Sequence, residues 1–350
     1  MGNLIFEHGG NIYEVKRRYK REIIDFSANI NPLGLPPKIK SRLWKNFRNI
    51  LHYPDIKAES LIKRIAKYWS IKEENILVGN GSVDLLYLLI HTFKFRKVCI
   101  PFPTFSEYER ATRCVEAKIN FLKLEEDKDF KFQGLKPADA EVLFLCNPNN
   151  PTGNLIFEDR DFIEKLPIEL VIIDEAFMDF LPDEKKYTLI WKAQKSKKII
   201  ILRTFTKFFA LAGLRLGYLV AQKDTIDKLK KRQVPWCVNY FAQLAGESIL
   251  DEKEYIEKTR QFIERGRRFL FTELTKIEGL KPYSSVTNFL LVKIEKKKLT
   301  SSLLKRKLIQ EGILIRDCSN FRGLNNKFIR IAVRRHNENL KLIEVLKKVV

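Results

Sequence analysis

At 350 residues, 45% hydrophobic and 31% charged, the chain can bury a sizeable core, and one large plus one smaller domain is its natural division. That composition excludes disorder, and the lack of any apolar run near about 18 residues excludes a membrane-spanning helix. The formal charge of +22 invites a nucleic-acid reading, but the positives sit in short clusters such as Lys228 to Arg232 and Lys296 to Lys298, with acids nearby and no helix-turn-helix, RNA-binding or finger motif.

Those clusters read as solvated faces of amphipathic helices, whose field attracts phosphorylated small molecules; no specific nucleic acid and no membrane partner is expected. Five scattered cysteines, none in a CxxC, read as reduced thiols of a cytoplasmic protein. The four histidines are isolated, so no metal site is expected. The start, MGNLIFEHGGN, lacks a basic region followed by an apolar one, which argues against a secretory leader. Phe6 stands where myristoylation of Gly2 needs a small hydroxyl residue.

Residues 1–35 read as an arm. Its segment FSANINPLGLPP predicts turns and extended chain, with Asn29 and Asn31 as turn formers. A short helix is predicted over Ile39 to Phe47, then a loop at His52-Tyr53-Pro54-Asp55 and a helix over 58–69. The strand Ile76 to Val78 runs into Gly79-Asn80-Gly81-Ser82-Val83-Asp84 and a helix. Glycines between a strand and a helix start let backbone N–H groups cradle an anion. The strand Val98 to Ile100 leads to a rigid turn carrying Phe105, which suits either core packing or stacking on a flat ring.

The strand Val142 to Cys146 ends in Asn147-Pro148-Asn149-Asn150-Pro151-Thr152-Gly153, dense turn chemistry suited to a ligand loop. The strand Leu170 to Ile173 delivers Asp174, a carboxylate that burial forces to find a cation or a proton. The strand Ile199 to Leu202 delivers Arg203-Thr204-Phe205-Thr206 and then Lys207. Flanked by Phe205, Phe208 and Phe209, that amine would be costly to bury as an ammonium, so burial would lower its pKa and suit it to imine chemistry with a carbonyl cofactor.

Strands alternating with helices from about 75 to 220 predict a mainly parallel sheet, and ligands collect at the carboxyl ends of such strands. Beyond Trp236 the pattern is helical over about 240–274. A strand at Phe289 to Ile294, a helix near 300–311, the run Ile313 to Asp317, a strand at Phe328 to Val333 and a helix from Asn337 follow. The α/β reading is therefore an arm at 1–35 serving the small domain and the site, a large domain at 36–240 and a smaller α+β domain at 241–350.

The motifs NPNNPTG, DEAF and TFTKFFALAGLRLGY, in that order, resemble fold type I pyridoxal 5'-phosphate enzymes of the aminotransferase kind, within the histidinol-phosphate aminotransferase-like group. The resemblance implies that Lys207 bonds the cofactor aldehyde, Asp174 keeps the pyridine nitrogen protonated, Asn150 meets the ring 3-oxygen and Phe105 stacks on the ring. It implies a phosphate cup of Gly81, Ser82, Thr204, Thr206 and Arg215, with Val83 also binding the cofactor, and a homodimer in which Tyr53 reaches the neighbouring subunit's cofactor phosphate. Arg330 is implied to clamp the substrate α-carboxylate.

Within the group, HGGN at His8 to Asn11, DFSANINPLG from Asp25, PWCVN from Pro235 and ILIRDC from Ile313 resemble the threonine-phosphate decarboxylases of cobalamin biosynthesis. Transaminases of the group usually carry tyrosine where Phe177 stands. The implied reaction is decarboxylation of L-threonine O-3-phosphate to (R)-1-amino-2-propanol O-2-phosphate, with His8, Asn29 and Arg316 around the substrate phosphate. Histidinol-phosphate transamination with 2-oxoglutarate is the alternative.

Overall fold

The computed structural model describes residues 8–20, 22–134 and 140–350. Residues 1–7, on which the leader and myristoylation readings rest, lie outside the described residues, as do the first positions of the expected arm.

Among the described residues thirteen strands run in chain order: β1 (Ile24–Asp25), β2 (Ile76–Gly79), β3 (Lys97–Phe102), β4 (Lys118–Lys123), β5 (Val142–Cys146), β6 (Leu170–Asp174), β7 (Ile199–Thr204), β8 (Gly217–Val220), β9 (Leu280–Pro282), β10 (Phe289–Ile294), β11 (Ile313–Leu314), β12 (Arg316–Asp317) and β13 (Phe328–Ala332). Seven of them form the central sheet in the order β2-β8-β7-β6-β5-β3-β4. The neighbours from β7 to β4 are parallel, while β8 runs antiparallel to both β2 and β7.

The central strands are apolar throughout because both faces are covered. Leu143, Leu145, Val171, Ile173, Ile199 and Ile201 point into one core layer. Val142, Phe144, Ile172, Ile200 and Leu202 alternate into the layer on the other face. All the parallel carboxyl ends lie along one edge, so the turns after β3, β5, β6 and β7 share a rim.

A second, antiparallel sheet has the order β12-β13-β10-β9. β1 of the arm pairs in parallel with β11, so the first part of the chain is stitched to the last. The sequence reading missed several elements. β4, KINFLK, is a half-exposed edge strand and needs no continuous apolar run. The arm carries a helix, Ile12–Tyr19, whose Ile12, Val15 and Tyr19 pack on Ile23, Ile309 and Leu314. The helical stretch near 240–274 is two helices, Tyr240–Ile249 and Lys253–Thr275, the first capped by the Asn239 side chain accepting from Ala242 N.

The strand that carries the site is pinned by a buried ion cluster. Arg203, fully buried on β7, pairs with Glu175 (3.0 Å), Asp179 (3.2 Å) and Glu184 (3.4 Å), and its guanidinium lies 4.8 Å from the Trp69 ring. Arg260, on the long helix Lys253–Thr275, holds the other oxygen of Glu184 at 2.7 Å. Burial pushes the Asp179 acid up to about 7 against the pull of Arg203. Arg203→Ala therefore leaves carboxylates buried without their cation and should cost about 3–5 kcal/mol, read from urea unfolding. Carboxyls stripped of the guanidinium bind protons more tightly in the folded than in the unfolded chain. The deficit should accordingly be larger at pH 8 than at pH 6, where protonation removes the uncompensated charge.

Candidate active site

The rim of the central sheet opens into a cleft of about 700 Å³ whose walls come from the arm, the large sheet and the small sheet. Among its lining residues are Lys207, Asp174, Asn150, Phe105, Ser82, Val83, Thr204, Thr206, Arg215, His8, Asn29, Arg316 and Arg330. Fifteen residues were expected at the site, and these thirteen converge there; Gly81 touches it through Arg215, and Tyr53 stands apart.

Lys207 follows the end of β7 in a tight turn. Its carbonyl accepts from Asn31 N at 3.1 Å, so the arm fixes the lysine's backbone. Asn31 is tied further, donating to Phe208 O (2.9 Å), Tyr255 Oη (2.8 Å) and Thr259 Oγ1 (3.0 Å). Burial pushes the Lys207 amine down to about 8, and the positive charges of Arg330 and Arg215 push the same way.

Asp174 closes β6. Its Oδ2 accepts from the Tyr108 hydroxyl at 2.8 Å and its Oδ1 from Ala176 N at 2.9 Å. Burial raises the acid above the ordinary carboxylate range, although both hydrogen bonds and Lys207 act against it. Among the described residues no ion pair reaches this carboxylate. A buried anion of that kind fits a cationic ring N–H, which would supply the missing charge.

The turn after β2 is shaped for an oxyanion. Gly81 has φ +91° and a Cβ there would stand 2.7 Å from Arg215 Nη2, so only glycine lets the guanidinium lie against the turn. Gly217 of β8 backs the helix start Ser82–Phe93 so closely that its Cβ would meet Ser82 N at 2.4 Å. The Thr204 and Thr206 hydroxyls are 2.9 Å apart at the same end of the cleft. A helix N-terminus, hydroxyls and one guanidinium form the donor set of a phosphate cup.

At the opposite wall Arg316 and Arg330 are direct cross-strand partners on β12 and β13, both buried. Arg330 donates through Nη1 to Asn150 Oδ1 and through Nη2 to Ser27 O at 2.9 Å, with its guanidinium 5.2 Å from the Phe289 ring. Its Nε finds no partner among the described residues. Burial and the charge of Arg316 push Arg330 down to about 10. Arg316 donates to Asn320 Oδ1 at 2.7 Å. Asn29 is only 3% exposed, and its Oδ1 also finds no partner among the described residues. Phe177 is buried edge-on to Phe289 at 5.0 Å and presents no hydroxyl.

Tyr53 is 81% exposed and stacks on Trp236 with ring centroids 4.9 Å apart, outside its own chain's cleft. Two residues of the site escaped the sequence reading. Tyr108, which carries the hydrogen bond to Asp174, reads from sequence as one more aromatic in the turn after β3. Glu107 has no role in the sequence reading, yet its carboxylate is buried and accepts from His8 Nε2 at 2.8 Å and Tyr87 Oη at 3.0 Å. Among the described residues no group of His, Cys, Asp and Glu could hold a metal ion, and no helix is long and apolar enough to cross a membrane.

The aminotransferase class I and II family matches residues 21–346. A protein of Caldanaerobacter subterraneus subsp. tengcongensis, provisionally named a threonine-phosphate decarboxylase, is 41% identical over 98% of this chain and 93% of its own length. A histidinol-phosphate aminotransferase of Methanococcus aeolicus is 33% identical over 96% of this chain and 93% of its own. The crystal structure of an L-threonine-O-3-phosphate decarboxylase from Porphyromonas gingivalis matches with a TM-score of 0.84 and 29% identity, covering 92% of this chain and 98% of that one.

With its amine at about 8 instead of the ordinary 10.5, Lys207 is roughly one-tenth neutral at pH 7. Capture of added pyridoxal 5'-phosphate by the cofactor-free protein, followed by visible absorbance, should rise about tenfold per pH unit below pH 8 and level off above it. A rate still climbing past pH 10 would mark an ordinary lysine.

Proposed function

The chain belongs to the aminotransferase class I and II family, and on that premise we propose that it decarboxylates L-threonine O-3-phosphate with bound pyridoxal 5'-phosphate. Carbon dioxide and (R)-1-amino-2-propanol O-2-phosphate are the products, in cobalamin biosynthesis in the cytoplasm. The observation that carries the reading is the pair Arg316 and Arg330, adjacent in register and both buried. Two guanidinium groups side by side on one wall of the cleft suit a substrate that bears both a carboxylate and a phosphate.

The fit of the cleft supports the cofactor. Lys207 would hold its aldehyde, Asp174 its ring nitrogen, Asn150 the ring oxygen and Phe105 the ring face. Gly81, Ser82, Val83, Thr204, Thr206 and Arg215 would hold its phosphate. When bound, the group supplies an electron sink for the pair left at Cα as a bond breaks. The chain's own residues do the rest. Arg330, braced by Asn150 and Ser27, orients the α-carboxylate, while Arg316, Asn29 and His8 take the phosphate. Loss of carbon dioxide requires a proton to return to Cα, and Lys207 Nζ is the cleft amine able to deliver it. The greater identity to the decarboxylase-named relative, 41% against 33%, and the absence of a hydroxyl at Phe177 favour this reaction over transamination. The second of those relatives makes histidinol-phosphate transamination the competing reading.

The working unit in this reading is a homodimer. Trp44, Phe47, Leu51, Tyr53 and Trp236 are exposed large apolar side chains, with ring contacts between Trp44 and Phe47 and between Tyr53 and Trp236. An apolar patch of this kind wants a partner, and Tyr53 would reach the second subunit's cofactor phosphate. Residues 1–35 then form the arm, 36–240 the cofactor domain and 241–350 the small domain.

Incubation with L-threonine O-3-phosphate and no oxo acid should release carbon dioxide; a strict need for 2-oxoglutarate would instead establish the transaminase. Lys207→Ala should abolish turnover and leave cooperative unfolding in place. Arg316→Ala should raise KM for the phosphorylated substrate by about 10- to 100-fold, the worth of hydrogen bonds to a charged group. Mixing and refolding inactive Lys207→Ala chains with Tyr53→Ala chains should recover activity, because one site of each mixed dimer has both residues intact.

A further inference from the structure

Residues 8–10 cross the mouth of the cleft and are fastened at both ends. On one side Gly10 N donates to Ser27 Oγ at 2.8 Å. Gly9 lies so close to β1's continuation that a Cβ there would fall 2.0 Å from Ser27 O and 3.2 Å from Arg330 Nη2. On the other side the His8 ring sits 5.8 Å from Phe105 and its Nε2 meets Glu107 Oε1 at 2.8 Å. His8 is half-exposed, whereas Glu107 is 4% exposed and forms part of the cleft wall.

A buried carboxylate needs a reason to stay charged. Burial alone would raise the Glu107 acid, but hydrogen bonds from His8 and Tyr87 and the charge of Arg110, 3.6 Å away, bring it below the ordinary range. It therefore acts as an acceptor, and the His8 nitrogen facing it is a donor. That engagement takes up Nε2, so Nδ1 is the ring nitrogen that Glu107 does not use.

We propose that Glu107 is a positioning residue for substrate-phosphate recognition, holding His8 by Nε2 so that residues 8–10 strap the cleft and Nδ1 meets the phosphate. The proposal rests on the reading that His8 contacts the substrate phosphate. It assigns Glu107 no contact with substrate and no part in bond breaking, so its signature is in KM and not in kcat.

The test uses the full-length holoenzyme with L-threonine O-3-phosphate, and inorganic phosphate as a competing probe. Glu107→Ala should raise KM and the inhibition constant for phosphate by about tenfold, with kcat within about twofold. Glu107→Gln keeps an acceptor for Nε2–H and should recover most of the loss. His8→Ala should raise KM similarly, and the double variant should be no worse than His8→Ala alone, because the two act as one unit. If Glu107→Ala does not fold, Glu107→Leu, which keeps the bulk and removes the acceptors, carries the same comparison. An unchanged KM in the Glu107 variants beside a raised KM in His8→Ala would overturn the strap and leave His8 in place. Additive losses in the double variant would also overturn it. An unchanged KM in His8→Ala would overturn the reading of His8 and this proposal with it.

Discussion

Asp174 ends β6 with its carboxylate sealed against Tyr108, and Lys207 ends the turn after β7 on the same rim. Burial acts on the two in opposite senses, pushing the acid up and the amine down to about 8. Each is thus moved toward its neutral form by the same low-dielectric surroundings. The parallel sheet makes this possible. Strands of unbroken aliphatic residues can be buried on both faces, so whatever polar residue terminates them is desolvated by default. A carboxylate and an amine placed there acquire reactivity from position alone, without a neighbouring catalytic base.

The turn after β3 shows how much a few residues coordinate. Phe105 faces the cleft, Glu107 holds the arm through His8, and Tyr108 holds Asp174. Tyr108 is itself fixed by stacking on Phe144, with centroids 5.3 Å apart and planes 9° from parallel. The helix Glu107–Arg113 therefore joins the floor of the site to its mouth. A displacement of this one element would be felt at Phe105, at the buried carboxylate and at His8 together.

The parts legible in the sequence were those with a local signature. β5, β6 and β7 are runs of aliphatics that end in polar residues, and those ends are the site. The motif order carried the family, which composition and periodicity could not. What was hidden depends on contacts across long separations. Tyr108 meets Asp174 66 residues away and His8 meets Glu107 99 residues away, so neither pairing has a sequence pattern. β4 was hidden because an edge strand need not be apolar. The helix Ile12–Tyr19 was hidden because its apolar face is only three residues and its partners lie near 309 and 314. Asn31 read as a turn former and proves to be a tie on the Lys207 loop.

Which bond of the substrate breaks depends on how the carboxylate stands relative to the ring, because only a bond perpendicular to the ring shares its π system. On the proposed reading the two are held by different sheets. Residues at the ends of β5, β6 and β7 surround the place of the ring, whereas Arg330 and Arg316 project from the small sheet. On the proposed reading, the angle between carboxylate and ring follows from how the small sheet is held against the large one. The connections at that junction are specific. Arg330 is bonded to Asn150 from the large sheet and to Ser27 of the arm, and Asn31 of the same arm is bonded to the carbonyl of Lys207. The arm thus touches both the Arg330 guanidinium and the backbone of Lys207. Because small displacements of a clamped group change reaction rates steeply, the hydrogen bonds through Ser27, Asn31 and Asn150 have, on the proposed reading, a share in setting that angle alongside Arg330 itself.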